Sequence, residues 1–237
     1  MLDSLFVIRN RVVALILMGL LSSVAMADTP LAVGVGAGTN GVGIQLHAGV
    51  TETLNLRLGF HHFSGSHDVD AEDSNGVKGD ELRYSGDLEL NNLSLLADWY
   101  PWAGNFHVSA GGVLNNNDLT VDARCDNPSG CEVGGSTFSR AEIGTITTDI
   151  DVDEIGPYVG IGWGNPVGGE TGIHWSFELG VIYQGEPSVE MSSDGTCGGF
   201  VALCRSALDK EEQELEDDLS DLRFYPVVSL GLSYRFQ

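Results

Sequence analysis

The last strand of this chain, Tyr225-Pro226-Val227-Val228-Ser229-Leu230-Gly231-Leu232-Ser233-Tyr234-Arg235-Phe236, limits the possible folds more than any other segment. From Val228 onward every second residue is apolar: Val228, Leu230, Leu232, Tyr234 and Phe236. The residues between them are Ser229, Gly231, Ser233 and Arg235. A strand points alternate side chains to opposite faces, so one face is apolar and the other small or charged. A strand of a soluble sandwich shows the same pattern. The choice between core and lipid for the apolar face needs a second observation.

The N-terminus supplies it. Arg9 and Arg11 form a positive region, Val12 to Leu21 a short apolar run, and Ala25-Met26-Ala27 a small-x-small cleavage site. That is the anatomy of a secretory signal peptide. The apolar run is too short to cross ~30 Å of hydrocarbon as a helix. Cleavage after Ala27 is therefore expected, with residues 1–27 as signal peptide and 28–237 as one domain. Nothing after Ala27 approaches the roughly 18 consecutive apolar residues of a membrane helix. An exported chain with lipid-facing strands and no such helix satisfies its backbone in a membrane only as a closed barrel.

Charge narrows the partners. The full sequence carries a formal charge of −23, and loss of Asp3, Arg9 and Arg11 with the signal peptide leaves −24. So acidic a chain has little with which to neutralise phosphates, which excludes nucleic acid. The charges crowd a few loops and leave the strands nearly bare. The 32 glycines are about double the usual share of ~7%. Many stand at alternate strand positions, where small residues relieve crowding inside a narrow barrel.

Period-2 alternation bounded by turn signals gives eight strands: 31–37, 42–50, 54–63, 84–100, 106–121, 155–163, 173–191 and a last one ending at Phe236. Asn40-Gly41 is a favoured hairpin signal between the first two. In the fourth, apolar parity switches between Leu90 and Leu93, which predicts a β-bulge near Asn91-Asn92. The connections 51–53, 101–105 and 166–172 are short, whereas 64–83, 122–154 and 192–223 are long. Short periplasmic turns and long extracellular loops produce this alternation in outer-membrane barrels. Residues 206–222 read as one short helix in the last extracellular loop. Ser206 is its expected cap, and Leu215, Leu219 and Leu222 share a face that covers the barrel mouth or meets a partner. The fold class is all-β, an eight-stranded antiparallel up-and-down transmembrane β-barrel. Trp99, Trp102, Trp163 and Trp175 all lie beside short turns, the placement of a membrane-interface girdle.

The cleaved signal, the eight alternating segments and the final Leu-Gly-Leu-Ser-Tyr-Arg-Phe together resemble the small outer-membrane barrels of the OmpA/OmpW/opacity-protein type. The resemblance implies a place in the bacterial cell outer membrane, among outer-membrane lipid and lipopolysaccharide. It also implies that Tyr234 and Phe236 are an assembly signal read by the barrel-assembly machinery, displaced by one residue because Gln237 follows. It transfers function poorly, since such folds host adhesion, structural, transport and lipid-modifying roles.

The residues themselves offer several chemistries. With the apolar face outside, the lumen receives Arg57, Asp98, Glu178 and Arg235, with His47, His107 and His174. Two cations and two anions pair there as a buried network, which describes a plugged barrel more than an open pore. His62 and Ser64 make a His-x-Ser pair similar to that of outer-membrane lipid A deacylases. No orienting acid is evident, and no Asn-Ala-Gly follows Ser64. The acidic stretch Asp68-Val69-Asp70-Ala71-Glu72-Asp73-Ser74-Asn75-Gly76 lacks the spacing of an EF-hand loop and reads as a solvated loop. Cys125/Cys131 and Cys197/Cys204 are close pairs in long loops. In an exported chain they imply two disulfides, and local pairing has the lower closure cost. No metal site and no cofactor are expected. The reading is a structural or cell-surface interaction protein with an unknown extracellular ligand. Its rivals are a small, porin-like solute channel and a lipid A-modifying hydrolase.

Overall fold

The structure, a computed structural model, describes residues 29–72, 78–125, 127, 130–196 and 201–236. The expected signal peptide, residues 1–27, lies outside them. Eight strands close a ring: β1 (Leu31–Gly38), β2 (Gly41–Thr51), β3 (Leu54–Glu72), β4 (Lys78–Trp99), β5 (Phe106–Asn115), β10 (Ile155–Trp163), β11 (Gly172–Tyr183) and β13 (Phe224–Arg235). The ring closes antiparallel between β1 and β13, with Val33 opposite Tyr234 and Ala37 opposite Leu230. The first hairpin turns at Thr39-Asn40-Gly41. Gly41 has a φ of 96°, and a Cβ there would lie 2.3 Å from the His62 carbonyl, so the turn needs glycine.

Alternation sorts the two faces. Val35, Ile44, Phe60, Leu95, Val159, Ile161, Leu179 and Leu230 are exposed on the outside, a belt of apolar surface too large for a soluble monomer. The opposite faces of the same strands carry Gln45, His47, Asn55, Arg57, His61, Asn92, Asp98, Ser109 and Glu178, all buried. An apolar exterior around a polar, filled interior is the arrangement of a transmembrane barrel.

Above the ring the molecule continues. β3 and β4 rise past it, and three further strands extend their neighbours after short breaks: β6 (Asp118–Cys125) beyond β5, β9 (Thr145–Asp151) before β10, and β12 (Ser188–Ser193) beyond β11. Together they form a five-stranded sheet in the order β12-β9-β6-β4-β3 on the side of the long connections. Between β6 and β9 lie the hairpin β7 (Cys131–Val133) and β8 (Ser136–Phe138) and the single turn α1 (Arg140–Ile143). Helix α2 (Val201–Leu219) and a 3-10 turn (Ser220–Arg223) lead from the sheet back to β13. The stretches 64–83, 122–154 and 192–223 are thus partly strand and not simple loops.

The bulge expected near Asn91-Asn92 is absent. Pairing of β3 with β4 runs unbroken from Leu54↔Trp99 to Asp70↔Arg83, through His61↔Asn92 and His62↔Asn91. The environment inverts instead. Below the asparagines, Leu93 and Leu95 point outward into the apolar belt while Asn92 and Ser94 point inward. Above them, Leu90 and Leu88 lie on the inner face, with Leu90 buried, and Asp87 and Glu89 are exposed on the outer one. Apolar parity switches because lipid gives way to water at this level.

The helix also differs from its expected form. It already includes Val201, and Ser206 is an exposed residue inside it. Its buried face is Cys204, Ala207 and Leu208, while Leu222 falls in the following 3-10 turn and is exposed. Leu215 and Leu219 are half-buried. The small residues Cys204 and Ala207 let the helix approach a core of Cys125, Cys131, Val133, Phe138, Ile143 and Ile146.

Candidate functional site

Arg57 of β3 sits at the centre of the lumen. Its Nη2 donates to Asp98 Oδ1 (2.9 Å), to Glu178 Oε1 (2.8 Å) and to Ser109 Oγ (3.2 Å), and its Nη1 donates to Glu178 Oε2. Ser109 Oγ donates to Asp98 Oδ1 at 2.7 Å, and the Tyr158 hydroxyl donates to Glu178 Oε1. One cation thus faces two carboxylates, and two hydroxyls supply the remaining donors. Low polarity makes such a network costly to break once it is satisfied. Arg235 is not part of it. Its Nη1 donates to the Gly169 carbonyl at the short-turn end, because Arg235 closes its strand where the lumen has already opened. Of the three histidines, His47 and His107 are buried in the lumen, and His174 meets the Glu170 carbonyl at 3.0 Å.

On the extracellular side of the network the lumen turns apolar. Leu96, Val113, Tyr158, Ile182 and Val227 form a buried cluster, with Tyr225 packed on it. Tyr158 spreads over Gly160 and Gly180, where added Cβ atoms would lie 2.4 and 2.1 Å from its hydroxyl. Beside the cluster, from Arg57 and Glu178 to Asn40, remains a cavity of about 30 Å³ lined also by Gln45, His61 and Asn92, room for little beyond a water. At the short-turn end a vestibule of about 850 Å³, lined by Asn55, Asn105, Asn165, His174 and Arg235, opens outward. Of its lining residues Asn55 is paired opposite Asp98 of the network.

The extracellular unit has its own bonds. Cys125 and Cys131 form a disulfide with Cα atoms 5.9 Å apart. Cys204 is disulfide-bonded too, and Cys197 lies outside the described residues. Helix α2 meets the edge of β12 through carboxylates: Met191 N donates to Glu212 Oε1 (2.7 Å) and Val189 N to Glu216 Oε1 (3.1 Å). Gly134 N donates to Glu211 Oε1 at 2.7 Å. Burial and the neighbouring Glu211 carboxylate raise the pKa of the Tyr84 hydroxyl, so the helix reaches from β12 toward β4. Glu142 caps α1 through the Ser139 hydroxyl and N–H, which hold its carboxyl below the ordinary range. Segments 62–91, 116–154 and 184–223 carry 28 acidic and seven basic residues, a net −21. Nearly all of the chain's charge lies above the barrel.

His62 and Ser64 stand on the exposed face of β3 above the belt. The His62 ring meets Asn91 Oδ1 at 2.8 Å, Asn91 Nδ2 donates to Glu89 Oε1 at 2.9 Å, and Ser64 is paired opposite Glu89. Among the described residues no hydrogen bond joins Ser64 to His62. No group of three or more potential metal ligands occurs among the described residues, and the acidic stretch 68–76 lies partly outside them. Trp99, Trp102, Trp163 and Trp175 are exposed near the short turns, with Phe106 in ring contact with Trp102 and Trp163. Tyr234 and Phe236 stack edge to face on the outside of the barrel.

Sequence reasoning overlooked Tyr158, Glu212 and Glu216. For Tyr158 a signal exists: it is the one large residue on a face otherwise made of Gly156, Gly160 and Gly162. The glutamates have none, because an edge-capping carboxylate looks like any solvated one.

No protein-family model matches the sequence, and no curated protein matches it. Solved structures that resemble the fold include CarO2 and CarO of Acinetobacter baumannii, both outer-membrane β-barrels. Their TM-scores are 0.56 and 0.54. Each is 20% identical, over 87% of this chain and 98% of the other. The likeness carries the fold, an outer-membrane β-barrel.

Proposed function

We propose that this chain is a sealed outer-membrane barrel that holds an acidic, disulfide-pinned unit at the cell surface, where it serves a structural or interaction role. The observation that supports it most is the lumen. The Arg57–Asp98–Glu178 network and an apolar cluster both fill the lumen, and the cavity that they line together holds about 30 Å³. A solute would have to break the first and wet the second. Meanwhile β3 carries about 30 Å of strand above His62 at ~3.3 Å per residue, and further along the same sheet Cys125 of β6 and Ile146 of β9 share a buried core with α2 and the β7–β8 hairpin. So much ordered structure outside the membrane is superfluous to a pore and suits a surface that is touched.

Purified protein in planar bilayers should show no steady conductance. Stable currents that vanish when the lumen is filled by Gly180→Leu would overturn the reading. Lipid A incubated with the protein should keep its acyl chains, since the His62 ring is engaged with Asn91 and no hydrogen bond joins it to Ser64 among the described residues.

A further inference from the structure

We infer that the upper edge of β3 is a docking strand for an extended, cationic polypeptide segment. This rests on the reading of the extracellular unit as the working surface, and it names the mode and chemistry of the partner. β2 pairs with β3 only as far as Val42↔His62. From Phe63 to Asp70, β3 is paired with β4 alone. The parity of the unused groups follows from the barrel below. Cβ atoms placed on Gly43 and Gly41 would lie 2.1 and 2.3 Å from the carbonyls of Phe60 and His62, so even-numbered residues of β3 turn their backbone toward β2. Continuing that alternation, Ser64, Ser66, Asp68 and Asp70 turn their N–H and C=O toward the side β2 has vacated. Among the described residues no hydrogen bond is made to them. An exposed row of this kind is a template for strand addition.

The two edges of the sheet are treated differently. At β12 the edge N–H groups of Val189 and Met191 are taken up by Glu216 and Glu212. Among the described residues no side chain takes up the edge N–H groups of β3 in this way. Its outer face, with Asp68 on β3 and with Asp87 and Glu89 of β4 opposite Ser66 and Ser64, is acidic and exposed, while on the inner face Phe63 is 44% exposed. A strand laid along this edge sets alternate residues on an acidic and an apolar side, so it is recognised when basic residues alternate with apolar ones. The net −21 of the unit adds attraction for a cationic partner. A second copy fits poorly. It carries the same charge. Inserted in the same membrane, its β3 also rises, and strands tilted ~35–45° in opposite senses about a twofold axis cross instead of pairing.

The test uses the full chain in detergent micelles and a short synthetic peptide alternating lysine with valine, against the same peptide built on glutamate. Wild type should bind the lysine peptide, with amide shifts concentrated at Ser64, Ser66 and Asp68. Ser66→Pro removes one outward N–H and leaves the β3–β4 ladder intact. It should weaken binding roughly tenfold, the worth of about one hydrogen bond, while the barrel stays heat-modifiable. Equal binding by wild type and Ser66→Pro would overturn the inference, since charge alone would then suffice. So would equal binding of the glutamate peptide, or a dimer that Ser66→Pro abolishes. None of these outcomes bears on conductance, so the sealed-barrel reading stands or falls separately.

Discussion

Arg57 and Glu178 are 121 residues apart in the chain and meet across the lumen in a two-pronged guanidinium–carboxylate bond. The pair ties β3 to β11 through the barrel interior, where no ladder hydrogen bond joins them. Its removal from one side leaves charge without a partner. Arg57→Met should therefore destabilise the barrel by about 3–5 kcal/mol, as breaking a buried pair usually does. Adding Asp98→Asn and Glu178→Gln should recover much of the loss. Urea unfolding in detergent, followed by loss of heat-modifiability, measures both. A triple variant no better than Arg57→Met would mean that shape and not charge holds the site.

The inversion of faces on β4 gives a test that needs only arginine. Leu95 and Asp87 have the same parity on one unbroken strand, yet Leu95 lies in the apolar belt and Asp87 above it. Leu95→Arg should cost about 2–4 kcal/mol and impair assembly. Asp87→Arg should assemble normally. Leu90→Arg, on the other parity, should loosen the extracellular sheet because Leu90 is buried. Assembly yield and protease resistance of the surface unit separate the three. Similar behaviour of Leu95→Arg and Asp87→Arg would place the membrane boundary elsewhere.

The disulfide Cys125–Cys131 lies in the core of the extracellular unit and far from the ring. Replacing both cysteines by serine should destabilise that unit by about 2 kcal/mol, seen as faster proteolysis within 122–154. The heat-modifiable barrel should persist. Non-reducing peptide mapping should recover Cys125–Cys131 as one linked pair and, we propose, Cys197–Cys204 as the other. A free thiol in envelope-extracted protein would contradict the pairing to which that cysteine is assigned.

How much of this was legible follows from where each solvent acts. In the ring, lipid on one side and a crowded lumen on the other impose strict alternation, so β10 is readable to its ends, 155–163. Above the ring the apolar residues change sides without any break in pairing. Leu88-Glu89-Leu90 followed by Leu93 therefore looks like a defect in the strand. Charged lumen residues stand out because they interrupt small ones, which is why Arg57, Asp98 and Glu178 were visible. Arg235 has the same signature, and only its height in the barrel sets it apart. The core of α2 was hidden because Cys204 and Ala207 contribute through smallness, not through apolar bulk.

The capped edge of β12 carries the last prediction. Glu212 and Glu216 are one helical turn apart and accept from Met191 and Val189, which are two residues apart on the strand. A helix rises ~6 Å over four residues and a strand ~6.6 Å over two, so the two spacings match and the helix covers the edge without strain. Glutamine keeps an acceptor oxygen and alanine does not. The double change to alanine should therefore expose two edge N–H groups, costing about 1 kcal/mol each, and open the sheet to edge-to-edge association. Glu212→Gln with Glu216→Gln should stay close to wild type. Amide hydrogen exchange at Val189 and Met191 reads the local effect, and light scattering of concentrated micelles reads association. Unchanged exchange in the alanine variant would show that helix packing through Ala207 and Leu208 protects the edge without the carboxylates.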